Sequence, residues 1–444
     1  MKVSTAFRIP AQTVSTTDES ISQAVSAGVA MQTVDDVEYG GRHIEVEGRK
    51  LLNFGGCSYL GLEQRPELKR GAIQAVERFG TQFSFSRVYL QSPLYPQLEG
   101  ALERMTGGHV LVAASTTLAH ISALPVLVEP GDAVLIDRFA HASLHTAAGL
   151  LRSIPVHPVR HSRIELIEEA VARLARMHRQ VWYVLDGLYS MAGDFAPLAE
   201  IAALRDKYPQ LRLYIDDAHS TSWFGQNGRG YALETLTDRR NTVVALSLNK
   251  AFSAGGGALV FATDEDRMRV RRGGGPMLFS GPLQPPLLGA ALASAELHLS
   301  TEFSSLQRGL MGRIERAHAL ASQLGLKFAS EDRTPIFFIR IGAETDAIAL
   351  AKAMQEQGLY VCVSVFPAVA RNQAGVRFTI TSHNTPADIE CLMCALAREM
   401  KRLGVSMAPE GHSAATPNES GVRTAVSRDG NDRSDGRPSS APPV

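Results

Sequence analysis

The sequence has few cysteines, few aromatic residues and no excess of either charge. Four of its 444 residues are cysteine, 7% are aromatic, and 45 basic residues balance 45 acidic ones. A chain without net charge has no overall field to attract nucleic acid or an anionic membrane surface. No run of about 18 uncharged apolar residues is present, so no membrane span is expected. The N-terminus lacks an apolar stretch before a small-residue cleavage site, which argues against a secretory signal.

The four cysteines are too few for a disulfide framework in a chain of this length, so a reducing cytoplasm is the expected location. Cys391 and Cys394 form a C-x-x-C pair within DIECLMCALAREM, which has the pattern of an amphipathic helix. No second Cys/His pair lies nearby. We therefore interpret the two cysteines as core residues and predict no metal site.

Length and composition predict two domains with flanking segments. We expect an N-terminal arm at 1–45, a larger domain at 46–285 and a smaller C-terminal domain at 286–405. Residues 406–444 are rich in Pro, Gly, Ser and charge and have almost no apolar residues. This tail is predicted to be disordered, because it cannot bury enough surface to offset its ordering entropy.

Alternating strand and helix patterns predict an α/β fold for the larger domain. Apolar runs such as AVLIDR, VWYVLDG, LRLYIDDAH, TVVALSLNK and GGALVFA are separated by helix-length segments such as RIELIEEAVARLARMHRQ. This pattern indicates a mostly parallel sheet covered on both faces, with ligands bound beyond the carboxyl ends of the strands. After residue 286, the runs TPIFFIRIG, GLYVCVSVFP and GVRFTITS indicate a smaller α+β domain with its own sheet.

Residues capable of catalysis follow these strands. Asp216 ends the strand LRLYID, and His219 follows three residues later. A carboxylate buried at this strand end needs a cation or hydrogen-bond donors, which a ligand could supply. The alternative is that both residues cap the next helix. Ser247 and Lys250 end TVVALSLNK. A lysine at a strand end suits an amine that forms an imine, and a surface lysine is the alternative. His141 lies just beyond another strand, where a helix cap or a surface residue is the alternative.

The segment ASTTLAH, at 114–120, places small and hydroxyl residues at the start of a predicted helix. Thr116 and Thr117 there belong either to a phosphate nest or to an ordinary N-cap. Taken together, an imine-forming lysine, a phosphate nest and a buried carboxylate are what an aldehyde cofactor with a phosphate and a pyridine nitrogen requires. We therefore predict pyridoxal 5′-phosphate, bound by Lys250 and Asp216.

These segments resemble the α-oxoamine synthase family of fold-type I pyridoxal-phosphate enzymes. YIDDAHSTSWFGQNGRG, LDGLYSMAGDFAPLAEI, DRFAHASL and SLNKAFSAGGG carry the resemblance, which spans about residues 45 to 400. The family includes 8-amino-7-oxononanoate synthase, 2-amino-3-ketobutyrate CoA ligase and serine palmitoyltransferase. The resemblance implies a mostly parallel seven-stranded sheet. It also implies decarboxylative condensation of an amino acid with an acyl thioester, on coenzyme A or a carrier protein, to give an α-amino ketone.

The resemblance implies a role for each residue near the cofactor ring. Lys250 is implied to be the Schiff-base lysine and the proton-transfer group. Asp216 is implied to hold the pyridine nitrogen and His219 the phenolic oxygen. His141 is implied to stack on the cofactor face and to help position the thioester carbonyl, and Ser190 matches a serine that reaches the ring substituents.

The resemblance also implies residues for the phosphate and the substrate. Ser247, Thr116 and Thr117 match the positions that contact the phosphate. Arg377 matches an arginine that binds the substrate carboxylate, a task suited to its planar fork. Ser280 matches a loop residue that reaches the phosphate of the partner subunit, which implies a homodimer with shared active sites.

The chain departs from the family pattern among its substrate-binding residues. Cys57 replaces an asparagine that helps bind the amino-acid carboxylate, Asp186 replaces a glutamate, and STTLAH replaces a segment with a glycine-aromatic pair. We hypothesise a condensing enzyme of secondary metabolism or signalling with a non-standard substrate. The alternatives are an aminotransferase, a non-catalytic partner subunit on the same fold, and a nucleotide-binding protein, although the GGG triplets lack the spacing of a nucleotide-binding fingerprint.

Overall fold

The computed structural model describes residues 11–405, so the predicted tail at 406–444 and residues 1–10 of the predicted arm lie outside the described residues. The strands are β1 (His43–Val46), β2 (Arg49–Asn53), β3 (His109–Ala113), β4 (Ala133–Asp137), β5 (Val156–Val159), β6 (Val181–Asp186), β7 (Leu211–Asp216), β8 (Thr242–Ser247), β9 (Gly257–Phe261), β10 (Ile336–Gly342), β11 (Leu359–Tyr360), β12 (Cys362–Ser364) and β13 (Ala374–Thr379). The helices are α1 (Ala11–Ser26), α2 (Pro66–Phe79), α3 (Leu94–Thr106), α4 (Thr116–Leu127), α5 (Ala142–Ala148), α6 (Ile164–Leu174), α7 (Leu198–Lys207), α8 (Tyr231–Thr235), α9 (Asp264–Gly273), α10 (Gly275–Phe279), α11 (Pro285–His298), α12 (Phe303–Leu324), α13 (Glu344–Glu356) and α14 (Pro386–Arg402). Within 11–405, none of the helices has the length and hydrophobicity needed to span a bilayer.

A seven-stranded sheet contains the strands in the order β3-β9-β8-β7-β6-β4-β5. The strands from β8 to β5 pair in parallel, while β9 is antiparallel to both β3 and β8. This topology confirms the predicted mostly parallel sheet, and the five apolar runs quoted above form β4, β6, β7, β8 and β9. All residues of these five strands except Arg212 are buried, because helices cover both faces of the sheet.

Alternate residues of each strand contribute to two cores, one on each face of the sheet. On β6, Trp182 and Val184 belong to one core, with α4 and α5, while Tyr183 and Leu185 belong to the other, with α3, α6 and α7. The carboxyl ends of the parallel strands β4, β6, β7 and β8 therefore meet at a single edge of the sheet. This edge is where the fold class places a ligand.

The C-terminal part contains an antiparallel sheet in the order β10-β13-β12, packed with α12, α13 and α14. The predicted run GLYVCVSVFP forms two short strands, β11 and β12, which join different sheets. β11 pairs in parallel with β2, so the segment 43–53 shares a three-stranded sheet with the C-terminal part. The division of the chain into an arm and two domains stays a prediction.

The interpretation of Cys391 and Cys394 as core residues is wrong, because both side chains are exposed. The predicted amphipathic helix is present as α14, but its buried side includes Leu392, Met393 and Leu396. The two cysteines are three residues apart and therefore share a face of the helix, which is the one turned to solvent.

Candidate active site

A cavity opens beyond the carboxyl ends of β6, β7 and β8, with an empty volume of about 610 Å³. The residues that line it are Ser115, Thr116, Thr117, His141, Ser143, Asp186, Leu188, Asp216, Ala218, His219, Ser247, Asn249 and Lys250. Eight of the twelve site residues named from the sequence are among them. The four that do not line the cavity are Cys57, Ser190, Ser280 and Arg377.

Asp216 ends β7, and its carboxylate is buried at the cavity wall. Its Oδ2 lies 3.0 Å from Nε2 of His120, and its Oδ1 accepts a hydrogen bond from the Ala218 N–H at 3.0 Å. The other His120 nitrogen, Nδ1, lies 3.0 Å from the hydroxyl of Tyr214, which fixes the imidazole ring. Burial would raise the pKa of Asp216, but His120 and then Lys250 lower it to about 2. The cavity therefore presents an ionised carboxylate at neutral pH.

Asp186 ends the neighbouring strand β6, directly opposite Asp216 in the strand register. Burial, and then the negative charge of Asp216, raise the pKa of Asp186 well above its ordinary value. Its Oδ1 accepts a hydrogen bond from the backbone N–H of His141 at 3.0 Å. Asp186 therefore orients the segment that carries His141.

His141 caps α5. Its Nδ1 accepts a hydrogen bond from the Ser143 N–H at 3.3 Å and lies 2.7 Å from the Ser143 hydroxyl. Burial lowers the pKa of His141 below its usual value, although the carboxylate of Asp216 opposes the shift. The imidazole is therefore neutral, and because Nδ1 is an acceptor, its hydrogen lies on Nε2.

Lys250 follows β8 by three residues and lines the cavity together with Ser247. Its positive charge lowers the pKa of both Asp216 and His219, which places the amine within electrostatic reach of the two side chains. The turn that carries Lys250 is held by Ser253, whose hydroxyl donates to the backbone oxygen of Lys250 at 3.3 Å. The amine thus enters the same space as the ionised carboxylate.

The start of α4 forms a concave patch of donors on the cavity wall. Ser115 caps the helix with its side chain, and the Thr116 hydroxyl donates to the backbone oxygen of Leu246 at 3.3 Å. The first N–H groups of a helix have no partner within the helix, and the helix dipole favours an anion there. A Cβ at Gly257 would lie 2.5 Å from the Thr116 nitrogen, so glycine is required for β9 to approach α4. Thr116 and Thr117 therefore line the cavity at a helix start, where an anion is favoured.

His219 is buried, and its Nδ1 lies 2.8 Å from the hydroxyl of Tyr59. Burial, and then the positive charges of Lys250 and Arg377, lower the pKa of His219 well below its ordinary value. The side chain is therefore a neutral imidazole that uses one nitrogen within the protein. Its second nitrogen, Nε2, can face a ligand.

Arg377 lies beside the cavity and is 8% exposed. Its Nε donates to the backbone oxygen of Ser190 at 2.8 Å, so Ser190 contributes its main chain to the site. Cys362 is opposite Arg377 on the neighbouring strand, and both the Cys57 thiol and the Tyr59 hydroxyl interact with the guanidinium. Nε is therefore committed to Ser190, and the two terminal amino groups carry the hydrogens that remain for Tyr59, Cys57 and a ligand.

Sequence reasoning missed His120, Tyr59 and Tyr214. His120 lies one helical turn after Thr116, and this spacing from a residue of the nest was the available signal. No local signal connects Tyr59 with His219, since they are 160 residues apart.

The side chains at the cavity fit the polar groups of pyridoxal 5′-phosphate. The ionised carboxylate of Asp216 suits a protonated pyridine nitrogen, and the free nitrogen of His219 suits the phenolic oxygen. The start of α4 suits the phosphate, and Lys250 supplies the amine. The predicted cofactor and the observed donors therefore agree.

Known proteins are similar to this chain over most of its length. Residues 49–396, which include the whole cavity lining, match the family model for aminotransferases of class I and II. The 8-amino-7-oxononanoate synthase of Geobacter sulfurreducens is 33% identical over 374 residues, which cover 82% of this chain and 93% of that protein. The enzyme of the same name from Thermoanaerobacter pseudethanolicus is 29% identical over 390 residues, covering 87% and 97%.

Solved structures of serine palmitoyltransferases share the fold. The protein from Sphingomonas wittichii has a TM-score of 0.81 at 23% identity, covering 90% of this chain and 99% of that one. The protein from S. paucimobilis, solved with a bound PLP–myriocin aldimine, has a TM-score of 0.81 at 22% identity, covering 89% and 100%.

Proposed function

Because the chain belongs to the class I and II aminotransferase family, and within it to the α-oxoamine synthases, we propose that it condenses an amino acid with an acyl thioester. Carbon dioxide and a thiol are released, and the product is an α-amino ketone. One observation carries this proposal: Lys250, Asp216 and the start of α4 converge on one cavity, with Arg377 beside it.

The cofactor is pyridoxal 5′-phosphate, which when bound supplies an electron sink for negative charge at the α-carbon of the amino acid. Asp216 would accept a hydrogen bond from the ring nitrogen, and its contact with His120 keeps the carboxylate ionised and oriented. His219 would bind the phenolic oxygen through Nε2. The hydroxyls of Thr116 and Ser247, with the first N–H groups of α4, would hold the phosphate.

Lys250 and Arg377 act on the amino acid. The terminal amino groups of Arg377 hold its carboxylate, while Ser190 fixes the guanidinium through Nε. The amine of Lys250 would hold the cofactor, and the free amine would take the proton from the α-carbon of the amino acid. The α-carbon bonds to the carbonyl carbon of the thioester, and the thiol leaves with the electrons of the C–S bond. Carbon dioxide then leaves the same α-carbon, and Lys250 returns a proton to it.

His141 binds the carbonyl oxygen of the thioester. Its Nδ1 is committed to Ser143, so the hydrogen on Nε2 is the one available to a ligand. Donation to the carbonyl oxygen stabilises the negative charge that develops there during the attack. Asp186 supports this geometry through its hydrogen bond to the backbone of His141.

The active form is a homodimer in this proposal. Lys250 is the sole lysine or arginine in the described lining of the cavity. A phosphate bound there could therefore accept further hydrogen bonds from a second subunit. An exposed apolar patch also supports a dimer, because a second copy of the chain would cover it. The patch consists of Val88, Tyr89, Leu90 and Phe279. A hydrogen bond of 2.6 Å from the Ser86 hydroxyl to the Leu278 backbone oxygen joins the loop that carries Val88 to α10, which carries Phe279. Ser280 follows directly, so a second copy on the patch brings Ser280 towards the phosphate of the partner subunit.

The substrate is a non-standard amino acid or acyl group, and the role lies in secondary metabolism or signalling. Cys57 offers Arg377 a sulfur atom, which is a weaker hydrogen-bond acceptor than an amide oxygen. Asp186 uses its carboxyl to hold the backbone of His141. These two departures support an altered substrate pocket, and four free cysteines support a reducing cytoplasm as its location.

Absorption spectroscopy followed by a substrate screen tests this proposal. The purified protein should show a visible band that borohydride reduction removes, and Lys250→Ala should lose both this band and turnover. Amino acids are then combined with coenzyme A and carrier-protein thioesters, and mass spectrometry detects the ketone and carbon dioxide.

Three outcomes of the screen contradict the proposal in different ways. Half-reactions with a keto acid and no carbon dioxide indicate an aminotransferase. A wild-type protein without the visible band indicates a non-catalytic subunit. Formation of 8-amino-7-oxononanoate from alanine and a pimeloyl thioester at a normal rate contradicts the non-standard substrate.

A further inference from the structure

Tyr59 connects two parts of the candidate site that lie on different elements. Its ring is fully buried in the core of the C-terminal part, and its backbone oxygen accepts a hydrogen bond from Ser382 at 2.8 Å. Its hydroxyl lies 2.8 Å from Nδ1 of His219 and interacts with the guanidinium of Arg377. One hydroxyl thus contacts both the histidine assigned to the cofactor and the arginine assigned to the amino acid.

The direction of the hydrogen bond between Tyr59 and His219 follows from what each neighbour can donate. Burial raises the pKa of Tyr59 well above its ordinary value, so the hydroxyl keeps its hydrogen. Arg377 can only donate, so the hydroxyl cannot give its hydrogen to the guanidinium, and the sulfur of Cys57, its other polar neighbour, is a weaker acceptor than an imidazole nitrogen. Nδ1 of the neutral His219 is an acceptor in one tautomer, and the hydroxyl is in position to donate to it. This arrangement leaves the imidazole hydrogen on Nε2.

We propose that Tyr59 is a positioning residue that fixes the tautomer of His219, so that the Nε2–H is directed to the phenolic oxygen of the cofactor. This inference rests on the proposed cofactor site. Arg377 in turn orients the Tyr59 hydroxyl, because the guanidinium donates a hydrogen bond to the hydroxyl oxygen. The carboxylate site and the cofactor ring are therefore connected through Tyr59.

The first test compares Tyr59→Phe with a matched control, Tyr231→Phe. The Tyr231 hydroxyl donates to the backbone oxygen of Ala196 at 2.9 Å and lies outside the cavity lining. Apo-protein is titrated with pyridoxal 5′-phosphate, and its affinity and the visible spectrum of the bound cofactor are recorded. Tyr59→Phe should weaken binding about threefold to tenfold, the scale of one hydrogen bond, and should shift the band. Tyr231→Phe should change neither.

A second pair of variants separates tautomer control from simple packing. In a His219→Gln background there is no imidazole to orient, so adding Tyr59→Phe should have no further effect on cofactor affinity. Arg377→Met keeps the Tyr59 hydroxyl but removes the group that orients it, so it should weaken cofactor binding in the same direction as Tyr59→Phe. This variant also gives an answer if Tyr59→Phe does not fold.

The inference is overturned if Tyr59→Phe folds and leaves affinity and spectrum unchanged, or if its effect is the same size in the His219→Gln background. An Arg377→Met enzyme with wild-type cofactor affinity also overturns it. These readouts use cofactor binding, so they are independent of whether the wild-type enzyme condenses an amino acid with a thioester. If the wild-type enzyme catalyses the condensation but Tyr59→Phe leaves cofactor affinity and spectrum unchanged, the inference about Tyr59 is wrong and the proposed function stands.

Discussion

Replacing His120 with leucine should destabilise the protein, because it leaves the buried Asp216 without a partner for Oδ2. His120 is fully buried, and its contact with Asp216 is 3.0 Å long. The pKa of Asp216 is lowered from 3.8 to about 2 by His120 and then Lys250, which at roughly 1.4 kcal/mol per unit corresponds to about 2.5 kcal/mol of stability from the two together. Leaving a buried polar group without its hydrogen-bond partner costs about 1–3 kcal/mol, and more when the group is charged, as the Asp216 carboxylate is. We therefore expect His120→Leu to lower the free energy of unfolding of the apo-protein by about 2–4 kcal/mol.

Urea unfolding of the apo-protein at pH 7 measures this cost, and the pH dependence tests its origin. Because the folded pKa of Asp216 lies below its ordinary value, the stabilisation is complete above about pH 4 and is lost as the pH falls towards 2. The difference between wild type and His120→Leu should therefore shrink below pH 4. His120→Asn, which restores a donor, should cost less.

His318→Leu is the matched control for this experiment. His318 is also buried, at 8% exposure, but its Nε2 has no hydrogen-bond partner, and its other polar contact is a hydrogen bond with the backbone of Asp332. Leucine there removes one hydrogen bond and leaves no buried carboxylate unpaired, so it should cost only about 1 kcal/mol. The reasoning is refuted if His120→Leu unfolds at the wild-type urea midpoint with the wild-type slope, or if the two leucine variants lose equal stability.

Two further predictions concern a second charged cluster and the carboxylate clamp. His161 bridges Asp137 at 3.2 Å and Asp194 at 2.7 Å, and although burial lowers its pKa, the two carboxylates raise it to about 9. This stabilisation is complete below pH 6.5 and lost as the pH rises through 9, so the melting temperature should fall more steeply between pH 7 and 10 in wild type than in His161→Gln. Arg377→Lys should raise the KM for the amino acid by about tenfold or more with a smaller effect on kcat, since lysine cannot form the paired contact; an unchanged KM in steady-state assays contradicts the assignment.

The sequence by itself determined the elements that local pattern controls. Continuous apolar runs specified the central strands, because a parallel sheet buries both faces of each strand. Residues at the ends of those strands, such as Asp216 and Lys250, were identified because parallel strands bring their carboxyl ends to one edge. The spacing of Thr116 and Thr117 at a helix start predicted the nest in the same local way.

The tertiary structure alone decided which side chains meet across long stretches of chain. His120 reaches Asp216 from 96 residues away, and Tyr59 reaches His219 from 160 residues away. Such contacts depend on how helices and sheets pack, which no periodicity within a short segment records. The exposed face of Cys391 was missed for a related reason: helical spacing shows which residues share a face, but packing against the core decides which face is buried.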